Sequence, residues 1–307
     1  MTKWSSAFLW KHAQFQKHLL EVGIILANLT KFVVVKESNM EVRAKKALGQ
    51  HFLTDQKIAE AIVAALSQPS DEVMDVLEIG PGMGVLSQYL LKRNDVNLKM
   101  IEIDTESVEY LEKHFAEAAG RVIYGDFLKL DIDNVFTGEF HVIGNFPYNI
   151  SSQIFFRILD YRNRIPQTVC MIQKEVAERI AEKPGSKTYG ILSVLLQAWY
   201  DIEYLFTVGS GAFAPPPKVQ SAVIRLTRNS RKSLDCDENA FKNIVKTSFG
   251  QRRKTLRNSL KKVIFDKAAR EGWDAETLAS FTANPVFEMR PEKLSVEEFV
   301  ALTKLLA

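Results

Sequence analysis

Short apolar runs ending in glycine, an acid or asparagine recur between positions 73 and 226, separated by stretches with helical periodicity. Val73–Ile79 reads as a central strand running into Gly80-Pro81-Gly82-Met83-Gly84, after which Leu86, Tyr89, Leu90 and Leu91 mark the inner face of a helix. Asn97–Asp104 and Arg121–Tyr124 predict a second and a third strand, and Val142-Ile143-Gly144-Asn145 a fourth. Helices are expected over 150–161, 176–181 and 189–199, with a fifth strand at 168–172 and two closing strands at 204–208 and 221–226. Upstream, Thr54 or Asp55 caps a helix reaching Leu66, with Ile58, Ala61, Ile62, Ala65 and Leu66 inward. From about Asp235 the pattern is helical only: Leu256, Leu260, Val263 and Ile264 form one stripe, and Ser295 with Glu298 makes a capping box for the last helix. Strands alternating with helices predict an α/β domain with a parallel sheet over 40–230, followed by a helical domain over 231–307.

Residues 1–39 fit neither pattern. Lys3, Lys11, Lys17, Lys31 and Lys36 interrupt the apolar residues, no secretory cleavage pattern is present, and arginine is absent, which weakens a mitochondrial presequence. The plainest expectation is that Met40 is the functional start and this segment an extension outside the fold; an amphipathic helix or a targeting segment are the alternatives.

Overall charge adds little: 307 residues carry a net +3 with pI near 8.6. Its distribution adds more. Between Glu238 and Asp266 stand Lys242, Lys246, Arg252, Arg253, Lys254, Arg257, Lys261 and Lys262 with no acid among them, the pattern of a phosphate-tracking surface. Arg252, Arg253, Lys254, Arg257 and Lys261 are the candidate phosphate contacts. Cys170 and Cys236 lack any paired spacing, which predicts reduced thiols in a cytoplasmic protein, and no uncharged stretch is long enough to cross a membrane. No metal-ligand pattern stands out.

The strand ends carry the chemistry. A glycine turn between strand and helix brings backbone N–H groups and a helix N-terminus to a ligand, and its G-x-G-x-G spacing differs from the dinucleotide fingerprint. Glu78 just upstream favours a ligand with an amino-acid moiety. Glu102, 22 positions beyond Gly80, is placed to accept ribose hydroxyls, and Asp126 with Phe127 to hold an adenine; Asp104 reads as a helix cap. The fourth strand delivers Asn145-Phe146-Pro147-Tyr148. An exocyclic amine on a nucleobase is a poor nucleophile because its lone pair is delocalised into the ring. Two acceptors that take its hydrogens turn that lone pair outward: the Asn145 side-chain carbonyl, and the Phe146 backbone carbonyl, left free because Pro147 has no N–H. Tyr148 offers a flat surface for an extruded base, and Phe213, stiffened by Pro215-Pro216-Pro217, a second one.

Taken together, Gly49-Gln50-His51-Phe52-Leu53, Glu78-Ile79-Gly80-Pro81-Gly82, Glu102-Ile103-Asp104, Gly125-Asp126, Asn145-Phe146-Pro147-Tyr148 and Phe213-Ala214-Pro215-Pro216-Pro217-Lys218-Val219-Gln220-Ser221 resemble the ribosomal RNA adenine N6-dimethyltransferase family, in its bacterial small-subunit, kasugamycin-resistance branch. The resemblance runs from about Arg43 to the C-terminus. It implies a Rossmann-like, seven-stranded S-adenosyl-L-methionine-dependent methyltransferase sheet with a small all-helical C-terminal domain. It also implies donor contacts from His51, Leu53, Gly80, Gly82, Glu102, Asp126 and Asn145. The implied activity is dimethylation of adjacent adenines in the 3′-terminal hairpin loop of 16S rRNA, by a monomer acting on the immature small ribosomal subunit. Phe146 stands where the family usually has leucine, a mild change if its backbone carbonyl is the working atom. The rival readings are a DNA adenine-N6 or protein-glutamine methyltransferase, a non-catalytic RNA-binding assembly factor on the same fold and, disfavoured by the glycine spacing, an NAD-type oxidoreductase.

Overall fold

The computed structural model describes residues 42–67 and 72–307; the expectation for residues 1–39 lies outside them. Residues 44–307 form one compact unit. In chain order the elements are β1 (Phe52–Leu53), α1 (Gln56–Ala64), β2 (Met74–Ile79), α2 (Ser87–Leu90), β3 (Val96–Glu102), α3 (Thr105–His114), β4 (Val122–Tyr124), β5 (His141–Asn145), α4 (Ser151–Asp160), β6 (Gln167–Gln173) and α5 (Lys174–Ala181). There follow α6 (Ile191–Gln197), β7 (Tyr200–Val208), β8 (Phe213–Ala214), β9 (Ser221–Arg228), α7 (Glu238–Gly250), α8 (Leu256–Ser259), α9 (Lys261–Glu271), α10 (Ala275–Thr282) and α11 (Val296–Leu306).

Among the described residues, seven strands form one sheet in the order β4-β3-β2-β5-β6-β9-β7, and β1 pairs with β8 in a separate ribbon. The pairs from β4 to β6 are parallel, while β9 runs antiparallel between β6 and β7. A parallel sheet needs cover on both faces, and its strands divide their residues accordingly. Leu77, Ile79, Val142, Cys170, Ile172, Ala222, Ile224 and Leu226 join one apolar cluster, whereas Val76, Ile143, Val169, Met171 and Val223 join the other. The first cluster is covered by α4, α6 and the C-terminal helices, with Phe241, Leu256, Leu260, Ile264 and Phe299 continuing the same core. The second is covered by α1, whose buried face is Ala59, Ile62 and Val63, continued by Leu66. Ala61, expected inward, is exposed, and Ala59 and Val63 take its place. Each fully buried Leu, Ile or Phe contributes about 1.5–3 kcal/mol relative to exposure.

Helix starts follow the capping chemistry. Asp55 accepts from the N–H groups of Lys57 and Ile58, and Ser295 with Glu298 forms the reciprocal box at α11. The glycine turn differs from expectation: the regular helix after it is only Ser87–Leu90, although Leu86 and Leu90 are buried as the pattern required.

Strand order fixes the site. From β2 the chain builds outward through β3 and β4, then crosses back to place β5 on the other side of β2. Ligands in open α/β sheets bind at the carboxyl ends of strands where the order reverses. The glycine turn after β2 and the Asn-Phe-Pro-Tyr turn after β5 flank that crevice.

Candidate active site

A cavity of about 290 Å³ opens there, lined by the glycine turn, Glu102, Ile103, Asp126, the 145–150 turn and the segment 47–53. The turn is built around a close approach: Gly82 has φ +56°, and a Cβ there would lie 2.9 Å from the Phe52 ring, so only glycine fits. A Cβ at Gly80 would meet nothing within 4 Å; the backbone faces open space at the cavity. Gly82 N–H donates to Glu102 Oε2 at 3.0 Å, and the N–H groups of Ile103 and Asp104 donate to Oε1 at 2.8 and 2.9 Å. Three of the roughly four lone-pair positions of that carboxylate are therefore filled, leaving capacity for a further hydroxyl. Burial raises the Glu102 pKa against those three bonds, which lower it.

Glu78 is the most perturbed acid of the cavity lining. Ser87 Oγ donates to Oε2 at 2.7 Å, and Oε1 has no partner among the described residues. Burial pushes its carboxyl up to about 8, with a smaller contribution from Glu102. Between the ordinary 4.5 and about 8 the folded chain holds a proton that the unfolded chain has released, so stability falls as pH rises through that window. Glu78→Gln is expected to remove this decline, on the order of a few kcal/mol, when urea midpoints are compared from about pH 5 to about pH 8. His141, whose pKa is lowered by burial, titrates equally in both proteins, so the difference isolates Glu78. Parallel profiles would contradict the assignment.

At the β5 end, Asn145 Nδ2 donates to the His51 carbonyl at 3.0 Å. This bond orients the amide, since only the nitrogen can face a carbonyl, and no donor among the described residues reaches Oδ1. Phe146 is buried, its ring edge-on to Phe155 with centroids 5.9 Å apart, and its N–H donates to the Met171 carbonyl at 3.0 Å. Its own carbonyl receives no hydrogen bond among the described residues. Both residues line the cavity, and among the described residues neither acceptor is claimed. The Tyr148 hydroxyl pairs with Ser221 Oγ at 2.5 Å, and burial raises its pKa. The His51 ring stacks on that of Tyr148 at 5.5 Å and 30°, while its Nδ1 donates to the Pro215 carbonyl at 2.9 Å.

The structure brings His51, Leu53, Gly80, Gly82, Glu102, Asp126, Asn145, Phe146, Pro147 and Tyr148 around one cavity. Asp126 accepts the Leu128 N–H at 2.9 Å. Phe213 is the correction. Its side chain is 4% exposed, pairs across β8–β1 with Leu53 and packs in the second core cluster, away from the cavity lining. Buried in this way, Phe213 offers no face for a base to stack on. Ile103, half-exposed in the cavity lining, and Ser221, the partner of the Tyr148 hydroxyl, stood within the quoted motifs but were given no role of their own. An apolar residue between two acids at a strand end was the signal for Ile103.

The basic run is partly spoken for. Arg257 pairs with Glu288 at 2.5 Å and donates to the Thr282 carbonyl at 2.8 Å; Arg252 donates to the Ser186 and Lys187 carbonyls. Lys261 lies over the Phe265 ring at 5.7 Å. Arg253 and Lys254 are exposed, with no side-chain partner among the described residues. Among those residues there is no cluster able to hold a metal ion and no helix long and apolar enough to cross a membrane.

The model of the family described as ribosomal RNA adenine dimethylase matches residues 41–299. The chain belongs to that family. This dimethylase is 58% identical over 262 residues to ribosomal RNA small subunit methyltransferase A of Parabacteroides distasonis, covering 85% of this chain and 93% of the relative. It is 56% identical to the protein of the same name from Porphyromonas gingivalis, covering 87% and 99%. Among solved structures, a dimethyladenosine transferase from Plasmodium falciparum aligns over 82% of this chain and 96% of its own with TM-score 0.67 and 25% identity. Family and sheet order together make the chain an S-adenosylmethionine-dependent methyltransferase, and its cavity fits that donor: the Glu78 carboxyl, buried with one oxygen unclaimed among the described residues, for an ammonium, an acid at a strand end for ribose, and a largely apolar lining.

Proposed function

We propose that the protein transfers methyl groups from S-adenosylmethionine to N6 of adjacent adenines in the 3′-terminal hairpin loop of small-subunit ribosomal RNA, acting as a cytoplasmic monomer on the immature small subunit. The observation that carries this reading is the pair of free acceptors, Asn145 Oδ1 and the Phe146 carbonyl, beside the cavity. The donor supplies an electrophilic methyl carbon on a sulfonium. His51, Leu53, Gly80, Gly82, Glu102 and Asp126 hold that donor, with Glu78 close to its ammonium. The Tyr148 ring takes the unstacked adenine, with Ser221 fixing the ring through its hydroxyl. Asn145 and the Phe146 carbonyl accept the two N6 hydrogens, so that the lone pair points at the methyl carbon. As the new N–C bond forms, the old C–S bond breaks; N6 becomes cationic, and its surplus proton leaves to solvent. No side chain has to act as a strong base, so positioning dominates the rate.

Residues 231–307 serve as the RNA-binding helical domain, with 40–230 carrying the chemistry. The tertiary pairing of Arg257 and the bonding of Arg252 shift the expected phosphate contacts toward Arg253 and Lys254. Neutralising both is expected to reduce the slope of log affinity against log salt by roughly 1.4 to 1.8, with methyl-donor binding unchanged. An unchanged slope in filter binding would place the RNA elsewhere.

The reading is tested by supplying labelled donor with unmodified small subunits, naked ribosomal RNA, DNA and protein. Label on adenines of the subunit alone supports it. Label on DNA or protein would favour the corresponding rival methyltransferase, and its absence everywhere the non-catalytic assembly factor.

A further inference from the structure

Residues 47–53 line the cavity, and the segment from Lys45 to Thr54 that contains them makes contacts on several sides of the site. Near its start, Lys45 Nζ contacts Asp104 Oδ1 and lies 3.1 Å from Glu106 Oε1. Gln50 Nε2 reaches Asp104 Oδ2 at 3.3 Å, and Gln50 Oε1 accepts the Lys45 N–H at 2.8 Å. Asp104 itself is 2% exposed, with Ser107 Oγ donating to Oδ2 at 2.9 Å. At the other end, the His51 carbonyl holds the Asn145 amide, and the His51 ring lies against Tyr148. Beyond it, Phe52 and Leu53 pair with Ala214 and Phe213, and the Thr54 N–H donates to the Ala212 carbonyl at 2.8 Å. Between the ends, Gly49 passes so near the catalytic turn that a Cβ would fall 2.6 Å from Asn149 Oδ1.

A three-residue turn at Lys46–Leu48 and a two-residue strand have little stability of their own. Such a segment keeps its place only through the groups that pin it. Because the Asn145 amide is oriented by a carbonyl of this segment, whatever seats the segment also aims the acceptor. We propose that the Lys45–Gln50–Asp104 cluster is the pin that seats this strap over the donor cavity, making Lys45 and Asp104 positioning residues for methyl transfer although neither lines the cavity. The inference rests on the reading of the cavity as the S-adenosylmethionine site.

The test compares the full chain with Lys45→Met, Lys45→Arg and Asp104→Asn. Titration with S-adenosylhomocysteine is expected to show a dissociation constant raised about tenfold in Lys45→Met and Asp104→Asn. Amide exchange in the unliganded protein is expected to speed up over residues 48–53 while β5 and β6 keep their protection. At saturating donor, kcat falls as well as KM rising, because the Asn145 amide is no longer fixed. Lys45→Arg, which keeps the cation, restores all three. Binding, exchange and kcat in Lys45→Met within about twofold of the parent would overturn the proposal. Equal loss of protection in the central strands would also overturn it, since that is a general loss of stability. If the unmodified protein fails to bind S-adenosylhomocysteine, the reading of the cavity itself fails.

Discussion

Asn145→Ala is expected to slow single-turnover methyl transfer by about 10²–10³-fold while leaving RNA affinity unchanged. That range is typical for removal of one preorganised hydrogen-bonding group aimed at developing charge. Here the charge is positive, on N6, and the lost partner is the only side-chain acceptor assigned to it. Asn145→Asp separates the two functions of the amide. It keeps an acceptor but loses the N–H that reaches the His51 carbonyl, and sets a carboxylate against that carbonyl. An intermediate rate is therefore expected. Single-turnover kinetics with saturating donor check both variants, and parental rates in either would remove Asn145 from the mechanism.

Tyr148→Ala is expected to cost about 5–150-fold in transfer rate, the kinetic equivalent of the roughly 1–3 kcal/mol that one stacked base contributes. Donor affinity should hardly change. Tyr148→Phe keeps the ring but frees Ser221 Oγ, whose partner at 2.5 Å is the tyrosine hydroxyl. Loss of one neutral hydrogen bond of about 1 kcal/mol predicts a drop of at most about fivefold, the lower end of the range for alanine. If both variants lost donor affinity as much as rate, Tyr148 would belong to the donor site and not to the base.

The strand ends were legible because local sequence determines them. A run such as Val76-Leu77-Glu78-Ile79 followed by Gly80-Pro81-Gly82 admits few backbones, and Asn145 to Tyr148 carries its chemistry in four consecutive residues. The parallel sheet followed from short apolar runs alternating with helical stretches, and its central strands are buried at nearly every position. What escaped depends on partners distant in sequence. Phe213 looked available because of its proline-rich flank, yet ribbon pairing with Leu53 turns it into the core. The basic run looked free of acids, but Glu288 and Asp160 reach Arg257 and Lys242 from other elements. Asp104, read as a cap, makes no capping bond to the backbone of α3; its carboxylate serves Lys45, Gln50 and Ser107 instead.

The account turns on an adenine N6 held between an amide oxygen and a proline-exposed carbonyl. Its most direct test is mass-spectrometric mapping of ribosomal RNA from unmodified small subunits incubated with the protein and isotopically labelled donor, with Asn145→Ala in parallel. The account predicts dimethylated adenines in the 3′-terminal hairpin loop with the parent protein and little or none with the variant. Label on any other atom, or equal label with both proteins, would contradict it.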